Sequence, residues 1–276
     1  MQINRNPFYP IQPEMISHSQ FYLEYKPKQL LANEVALFYQ FQTSELAPDH
    51  FSVIPDGCID LLFCCDPVHP MAILATSPEH RCLYPFKQNC VYFGVRFLPE
   101  QTLLKLPCSI KELIQQQQTP LFDVLSEDTS LLEQIILLPC FSDRIRWFIS
   151  YFQQKQQETS YDQNLIKFCI NGIYATRGII PVQQLAEESG YSCRYLQKKF
   201  EDYIGFSPKQ FCQIVRLQHA VHELLHHHQQ LSTVVDDGRF YDKAHFYKGF
   251  KKYMNCTPKQ YLSAYQTSTF HMISGG

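Results

Sequence analysis

Phe200-Glu-Asp-Tyr203-Ile-Gly-Phe-Ser207-Pro208-Lys209-Gln210-Phe211 returns fifty residues later as Phe250-Lys-Lys-Tyr253-Met-Asn-Cys-Thr257-Pro258-Lys259-Gln260-Tyr261. The register continues upstream, where Ser192 faces Asp242 and Leu196 faces Phe246. Self-similarity at a fixed period marks one structural unit used twice. Each copy reads as a helix. Leu196, Phe200 and Tyr203, like Phe246, Phe250 and Tyr253, fall at i, i+4 and i+7 and form one apolar stripe. Ser192 and Asp242 are suited to N-caps, because their side-chain oxygens can accept the unpaired N–H groups of a first turn. The opposite faces carry Arg194, Gln197 and Lys198 in one copy and Lys243, Tyr247 and Lys248 in the other.

Ahead of the first capped helix stands Pro181-Val182-Gln-Gln-Leu185-Ala186-Glu-Glu-Ser-Gly190-Tyr191. Proline is tolerated where a helix begins, so a short helix is expected here. Ala186 is small enough for two helices to cross closely, and Gly190 supplies a left-handed turn between them. A short helix, a glycine turn and a capped second helix make helix-turn-helix logic, in which the second helix enters the major groove of DNA.

These residues resemble the AraC/XylS family of transcription regulators over about residues 163–265. The resemblance rests on Leu185-Ala186, Gly190-Tyr191-Ser192, Tyr195-Leu196 with Phe200, Gly205-Phe-Ser207-Pro208-Lys-Gln-Phe211, Arg216-Leu217 with Ala220, Phe240-Tyr241-Asp242-Lys-Ala-His245-Phe246, and Phe250-Lys251-Lys252 with Thr257-Pro258 and Tyr261. It implies a linking helix from Arg216 to about His226 and two recognition helices in successive major-groove segments. By position, base-edge contacts fall to Arg194, Tyr195, Gln197 and Lys198 in the first unit. In the second they fall to Lys243, Ala244, His245, Tyr247 and Lys248. Phosphate contacts fall to Ser192, Lys199, Lys209, Lys251, Lys252 and Lys259. Val235 and Arg239 depart from the small residue and glycine usual in the second unit, which predicts a looser crossing there.

A second motif competes. His222-Glu223-Leu-Leu-His226 spells HExxH, which on a helix places two histidines on one face with a glutamate between them. A zinc peptidase is therefore the remote alternative. No third ligand is marked downstream, so no metal, no cofactor and no catalytic residues are expected, and the chain is read as a non-enzyme.

The 276 residues predict two domains, each with its own core. Residues 1–160 carry 11 basic and 17 acidic side chains against 13 and 9 in 161–276, so a net +4 half follows a −6 half. That asymmetry suits a polyanion-binding module joined to a different one. No leader and no apolar run of membrane length is seen, which predicts a cytoplasmic protein. Eleven cysteines without a CxxC pair read as reduced, mostly buried thiols. Cys58, Cys64, Cys65, Cys82 and Cys90 near His69 and His80 leave metal or redox sensing as the alternative.

Residues 20–100 read as β. Phe51-Ser-Val53-Ile, Ile59-Asp-Leu61-Leu-Phe63, Met71-Ala-Ile73-Leu74 and Val91-Tyr-Phe93-Gly-Val95-Arg-Phe97 are short apolar runs, and a small sandwich or barrel follows. Ile54-Pro55-Asp56-Gly57-Cys58-Ile59-Asp60-Leu61 and Phe93-Gly94-Val95-Arg96-Phe97-Leu98-Pro99 are similar to the cupin-like sensor half of some AraC-type regulators. Alternation puts Asp56, Cys58 and Asp60 on one face, and Gly94 and Arg96 on one face of another strand. Buried, Asp60 and Arg96 pair with each other or with a guest. An effector pocket would use Asp56, Cys58, Asp60, Tyr92, Phe93, Arg96 and Trp147. Beyond Pro99 the pattern is helical. Ile145, Phe148, Ile149 and Phe152 form a stripe that serves either the core or a homodimer seam.

The expected fold is α+β: a cupin-like sensor and dimerisation domain (1–155) with flanking helices, a linker (156–163), and an all-α double helix-turn-helix domain (164–268). The expected partners are promoter DNA, a small-molecule effector, a second copy, and RNA polymerase where the chain is an activator. A constitutive regulator with a purely structural first half is the alternative.

Overall fold

The computed structural model describes residues 8, 10–28, 31–125, 129–153, 160–226 and 243–274. After helix α1 (Pro13–Ser17) come strands β1 (Phe21–Tyr25), β2 (Val35–Gln42), β3 (His50–Val53), β4 (Ile59–Cys64), β5 (Met71–Thr76), β6 (Cys82–Pro85) and β7 (Val91–Phe97). Helix α2 (Ile110–Gln116), the short strand β8 (Gln118–Pro120), and helices α3 (Leu121–Val124), α4 (Thr129–Leu137) and α5 (Phe141–Gln153) follow. The main sheet has the antiparallel order β1-β2-β7-β4-β5-β8, and β3 pairs with β6 in a second sheet.

Side-chain alternation gives the main sheet two buried faces. Phe63, Phe93, Val95 and Phe97 turn to the helices, where Phe97 meets Phe148 and Phe152 at 6.2 Å between ring centroids. Leu62, Cys64, Tyr39, Phe41 and Tyr92 turn the other way and are covered by Phe51 and Val53 of β3, Tyr84 of β6 and Met15 of α1. Of the stripe, Ile145, Phe148 and Phe152 are buried in the chain's own core and Ile149 is half-buried. Arg144, also buried, locks α4 and α5 onto the sheet by donating to the Ile135 and Leu138 carbonyls and to Gln40 Oε1 at 3.1, 3.0 and 2.6 Å.

The second half begins with α6 (Tyr161–Ala175), so the expected linker 156–163 is helical from Tyr161 onward. Ser160 and Gln163 form a capping box that fixes its start. Helices α7 (Val182–Ser189), α8 (Cys193–Ile204), α9 (Pro208–His226), α10 (Lys243–Met254) and α11 (Pro258–Ser274) complete it. The linking helix α9 starts eight residues before Arg216. The repeated Ser-Pro-Lys-Gln and Thr-Pro-Lys-Gln explain this: Ser207 and Thr257 accept from the N–H of Gln210 and Gln260, each at 3.3 Å. The two glutamine Oε1 atoms in turn accept from the N–H of Ser207 and Thr257 at 2.9 Å. Each motif is a capping box with proline in the first turn.

Among the described residues, one apolar cluster spans both halves of the chain and a second fills the other face of the main sheet. The first runs from Phe63 and Phe93 through Phe148 to Leu196, Phe200, Phe211 and Phe250. Helix α2 packs on α8 of the second half, and α6 packs on α7, α8 and α9. Among the described residues, no helix is long and apolar enough to cross a membrane. All eleven cysteines are free.

Candidate nucleic-acid interface and the sensor cluster

Helix α8 is positioned by its two ends. Ser192 Oγ accepts from Tyr195 N–H at 3.2 Å, and Gly205 closes the helix in the left-handed region. Gly190, at φ 75°, makes the turn from α7, and Ala186 and Leu185 are buried at the crossing. Leu196, Phe200 and Ile204 point inward, so Arg194, Gln197 and Lys198 stand on the solvent face. Gln197 donates to Glu201 Oε1 at 3.0 Å, one turn on.

Tyr195 and Lys199 lie on the flank instead. The Tyr195 hydroxyl donates to Asp162 Oδ1 at 2.9 Å, and Lys199 Nζ donates to Asp162 Oδ2 at 2.6 Å. The Lys199 bond holds the Asp162 carboxyl below its usual range, and the Asp162 bond raises the Lys199 ammonium in return. Tyr195 also stacks on Tyr191 at 4.9 Å. The first turn of α6 is therefore fastened to α8.

In the second unit, Phe246, Phe250 and Met254 are buried, while Ala244, Lys248, Lys251 and Lys252 are exposed and Tyr247 is half-buried. Lys252 Nζ lies 5.1 Å from the Tyr253 ring centroid. Lys209 and Lys259 are exposed in the first turns of α9 and α11. The side chains of Lys243 and His245, and the expectations built on Val235, Arg239 and Asp242, lie outside the described residues.

The sheet register builds a charged cluster in the first half. Asp60 sits directly opposite Arg96, and Tyr39 opposite Gly94. A Cβ on Gly94 would stand 2.1 Å from the Tyr39 ring, so glycine is what lets that ring lie flat. Its hydroxyl then reaches Asp60 Oδ2 at 2.7 Å. Arg96 donates Nε and Nη2 to the two Asp60 oxygens at 2.9 and 2.7 Å, with Asp56 Oδ2 at 3.7 Å. Burial works against the Arg96 charge, but Asp60 and Asp56 outweigh it and keep the guanidinium ionised. Burial raises the Asp56 carboxyl, and Arg96 opposes that shift.

Asp56, Cys58, Asp60 and Arg96 thus line one cavity with Tyr39 and Gln12. Its free volume is about 30 Å³, room for about two waters. Three residues expected there are elsewhere. Tyr92 lies farther along its strand, stacked on Phe41 at 5.0 Å with its hydroxyl accepting from Lys87 N–H. Phe93 is on the opposite face, as alternation requires. Trp147 is on α5, stacked on Tyr151 at 5.2 Å. Sequence reasoning missed Tyr39 and Gln12, although Gly94 within a strand was a signal that something approaches closely.

His222 and Glu223 of the HExxH motif lie on α9, with His222 Nδ1 3.6 Å from Glu223 Oε1. Among the described residues, no group of three His, Cys, Asp or Glu could hold a metal ion. The His226 side chain lies outside them.

Both halves meet at the C-terminal ends of α8 and α10. Helix α2 packs on α8, with Lys111 Nζ on Glu201 Oε2 at 2.6 Å. Arg81, between β5 and β6, donates its N–H to the Tyr253 carbonyl at 2.7 Å and pairs with Glu14 at 3.3 Å.

A helix-turn-helix domain family matches residues 185–264. Residues 185–264 are thus an AraC-type helix-turn-helix domain. Over 80 residues, this AraC-type domain is 35% identical to an uncharacterized HTH-type transcriptional regulator of Haemophilus influenzae, covering 29% of this chain and 27% of that one. It is 29% identical over 82 residues to an uncharacterized HTH-type transcriptional regulator of Staphylococcus aureus, covering 30% of this chain and 11% of the other. The chain therefore spans about a quarter or less of the length of these relatives. Residues 23–119, ahead of the AraC-type domain, match a domain of unknown function, DUF6597. Among solved structures, ToxT from Vibrio cholerae is similar at a TM-score of 0.43 and 10% identity, covering 87% of this chain and 97% of ToxT.

Proposed function

We propose that the chain is a sequence-specific DNA-binding transcription regulator of the cytoplasm whose two readers grip successive major-groove segments of a promoter. The observation that carries it is the solvent face of α8, where Arg194, Gln197 and Lys198 project from a helix fixed at both ends. Arg and Lys suit guanine N7 and O6, and Gln suits adenine. Ala244, Tyr247 and Lys248, with Lys243 and His245, are the proposed base readers of the second unit. Ser192, Lys209, Lys251, Lys252 and Lys259 are the proposed phosphate contacts, and Lys199 joins them where DNA draws it from Asp162. Residues 1–155 form the regulatory part and 164–268 the binding part. One chain carries both readers, so a bipartite site can be filled by one copy, and a homodimer would fill two. An activator of this design would also touch RNA polymerase.

Selection of bound duplexes from a random pool tests the reading. Enrichment of two motifs one helical turn apart supports it, and a pool that stays random overturns it.

A small effector acting at the Asp56–Asp60–Arg96 cluster is part of this proposal. The tight, fully bonded cavity favours a second reading, a constitutive regulator whose first half is structural. A thermal-shift screen of small molecules separates the two, since a bound effector raises stability by mass action.

A further inference from the structure

Two buried glutamines join the charged cluster to the helix between the readers. Gln12 Oε1 accepts from Ile54 N–H at 2.9 Å, and its Nε2 donates to the Ile54 carbonyl at 2.8 Å and to Asp56 Oδ2 at 2.9 Å. Next to it, Ile11 N–H donates to Gln218 Oε1 at 2.8 Å, and Gln218 Nε2 donates to the Pro55 carbonyl at 2.7 Å. Gln218 is on α9 and 2% exposed. One amide therefore stitches segments 11–12 and 54–56 to each other, and the other stitches both to α9. Beside them, a Cβ on Gly57 would stand 2.6 Å from the Phe211 ring of α9, so the contact has no slack.

Unpaired polar groups inside a protein are costly, so a displaced Asp56 drags its partners rather than leaving them bare. Helices α8 and α10 pack on α9 and follow it. We infer that Gln218 is a positioning residue, tying the relative placement of the two readers to the state of the Asp56–Asp60–Arg96 cluster. This rests on the reading of the chain as a two-reader DNA binder.

The test is a double-mutant cycle on the intact chain, with Asp56→Asn and Gln218→Met. Binding is measured to a bipartite duplex selected by the wild type and to a duplex holding one half-site. Asp56→Asn should change the bipartite Kd by at least about fivefold. Half-site binding, which engages one reader, should move by less than about twofold, and in the Gln218→Met background the bipartite effect of Asp56→Asn should fall within the same limit. Thermal unfolding establishes that each variant is folded. Should Gln218→Met not fold, Gln218→Glu replaces it, keeping the acceptor for Ile11 and losing the donor to Pro55. Equal changes in both backgrounds, equal changes on both duplexes, or no change in the parent background would overturn the inference in a chain that does select its site. A wild type with no sequence preference would remove the underlying reading, and this inference with it.

Discussion

Gly205 and Asn255 stand fifty residues apart at equivalent positions of the duplicated unit, and they end α8 and α10 in the left-handed region, at φ 82° and 58°. The first half of the chain touches both. Ile110 and Ile114 of α2 close over Gly205, and Asn255 Nδ2 donates to the Arg81 carbonyl at 3.0 Å. The duplicated unit is thus held at the same point of each copy by two different pieces of the first half, helix α2 and the Arg81 loop.

Gly205→Ala should therefore cost more than Gly190→Ala. A Cβ at Gly205 would stand 2.3 Å from Ile114 Cδ1 and 2.9 Å from Ile110 Cγ2, whereas at Gly190 it meets nothing within 4 Å. Backbone strain alone predicts a loss of about 1 kcal/mol at Gly190. Strain plus overpacking predicts about 2 to 4 kcal/mol at Gly205. Urea unfolding of both variants measures the difference, and equal losses would contradict the packing of α2 on α8.

Arg96→Met should destabilise the chain by about 3 to 5 kcal/mol, because it leaves the buried Asp56 and Asp60 without their counter-charge. Adding Asp60→Asn in the same chain should recover part of that loss, since a neutral amide is cheaper to bury than an unpaired carboxylate. The midpoint of denaturant unfolding reads both. A double variant that is less stable than Arg96→Met would contradict the account of the pair.

His219, on α9, is pushed down to about 4 by burial, with Arg177 and His222 adding to the shift. Its usual value is 6.5. Between these values the unfolded chain binds the proton and the folded chain does not. Stability therefore falls as pH drops from about 6.5 toward about 4, by about 2 kcal/mol after discounting for partial exposure. His219→Gln should flatten the dependence of Tm on pH in that range, and an unchanged slope would contradict the shift.

Helices α8 and α10 could be read from the chain because their apolar stripes are local, and in the first copy the Ser192 cap and the Gly190 turn stand close beside the stripe. The charged cluster was half readable. Two-residue alternation put Asp60 and Arg96 each on a defined face of its own strand, but which strands are neighbours, and whether Tyr92 or Tyr39 meets the pair, depends on strand order and register, which no local pattern carries. Strand β2 holds Tyr39, and its near-continuous apolar run lacks the alternation that marks a half-exposed strand. The grips of Arg81 and Gln218 on the other half were not readable at all. Each joins residues more than 160 positions apart, and a polar side chain in a loop or on a helix looks the same whether it meets water or a distant carbonyl.

The most direct measurement compares Arg194→Ala and Lys198→Ala with the wild type on the selected duplex and on a scrambled one, across a range of salt. Each substitution should cost about 1 to 3 kcal/mol on the selected duplex and far less on the scrambled one. Wild-type affinity should fall steeply with salt on both. Equal losses on the two duplexes would mean that the outer face of α8 reads no bases, and the account of this chain as a two-reader regulator would be contradicted.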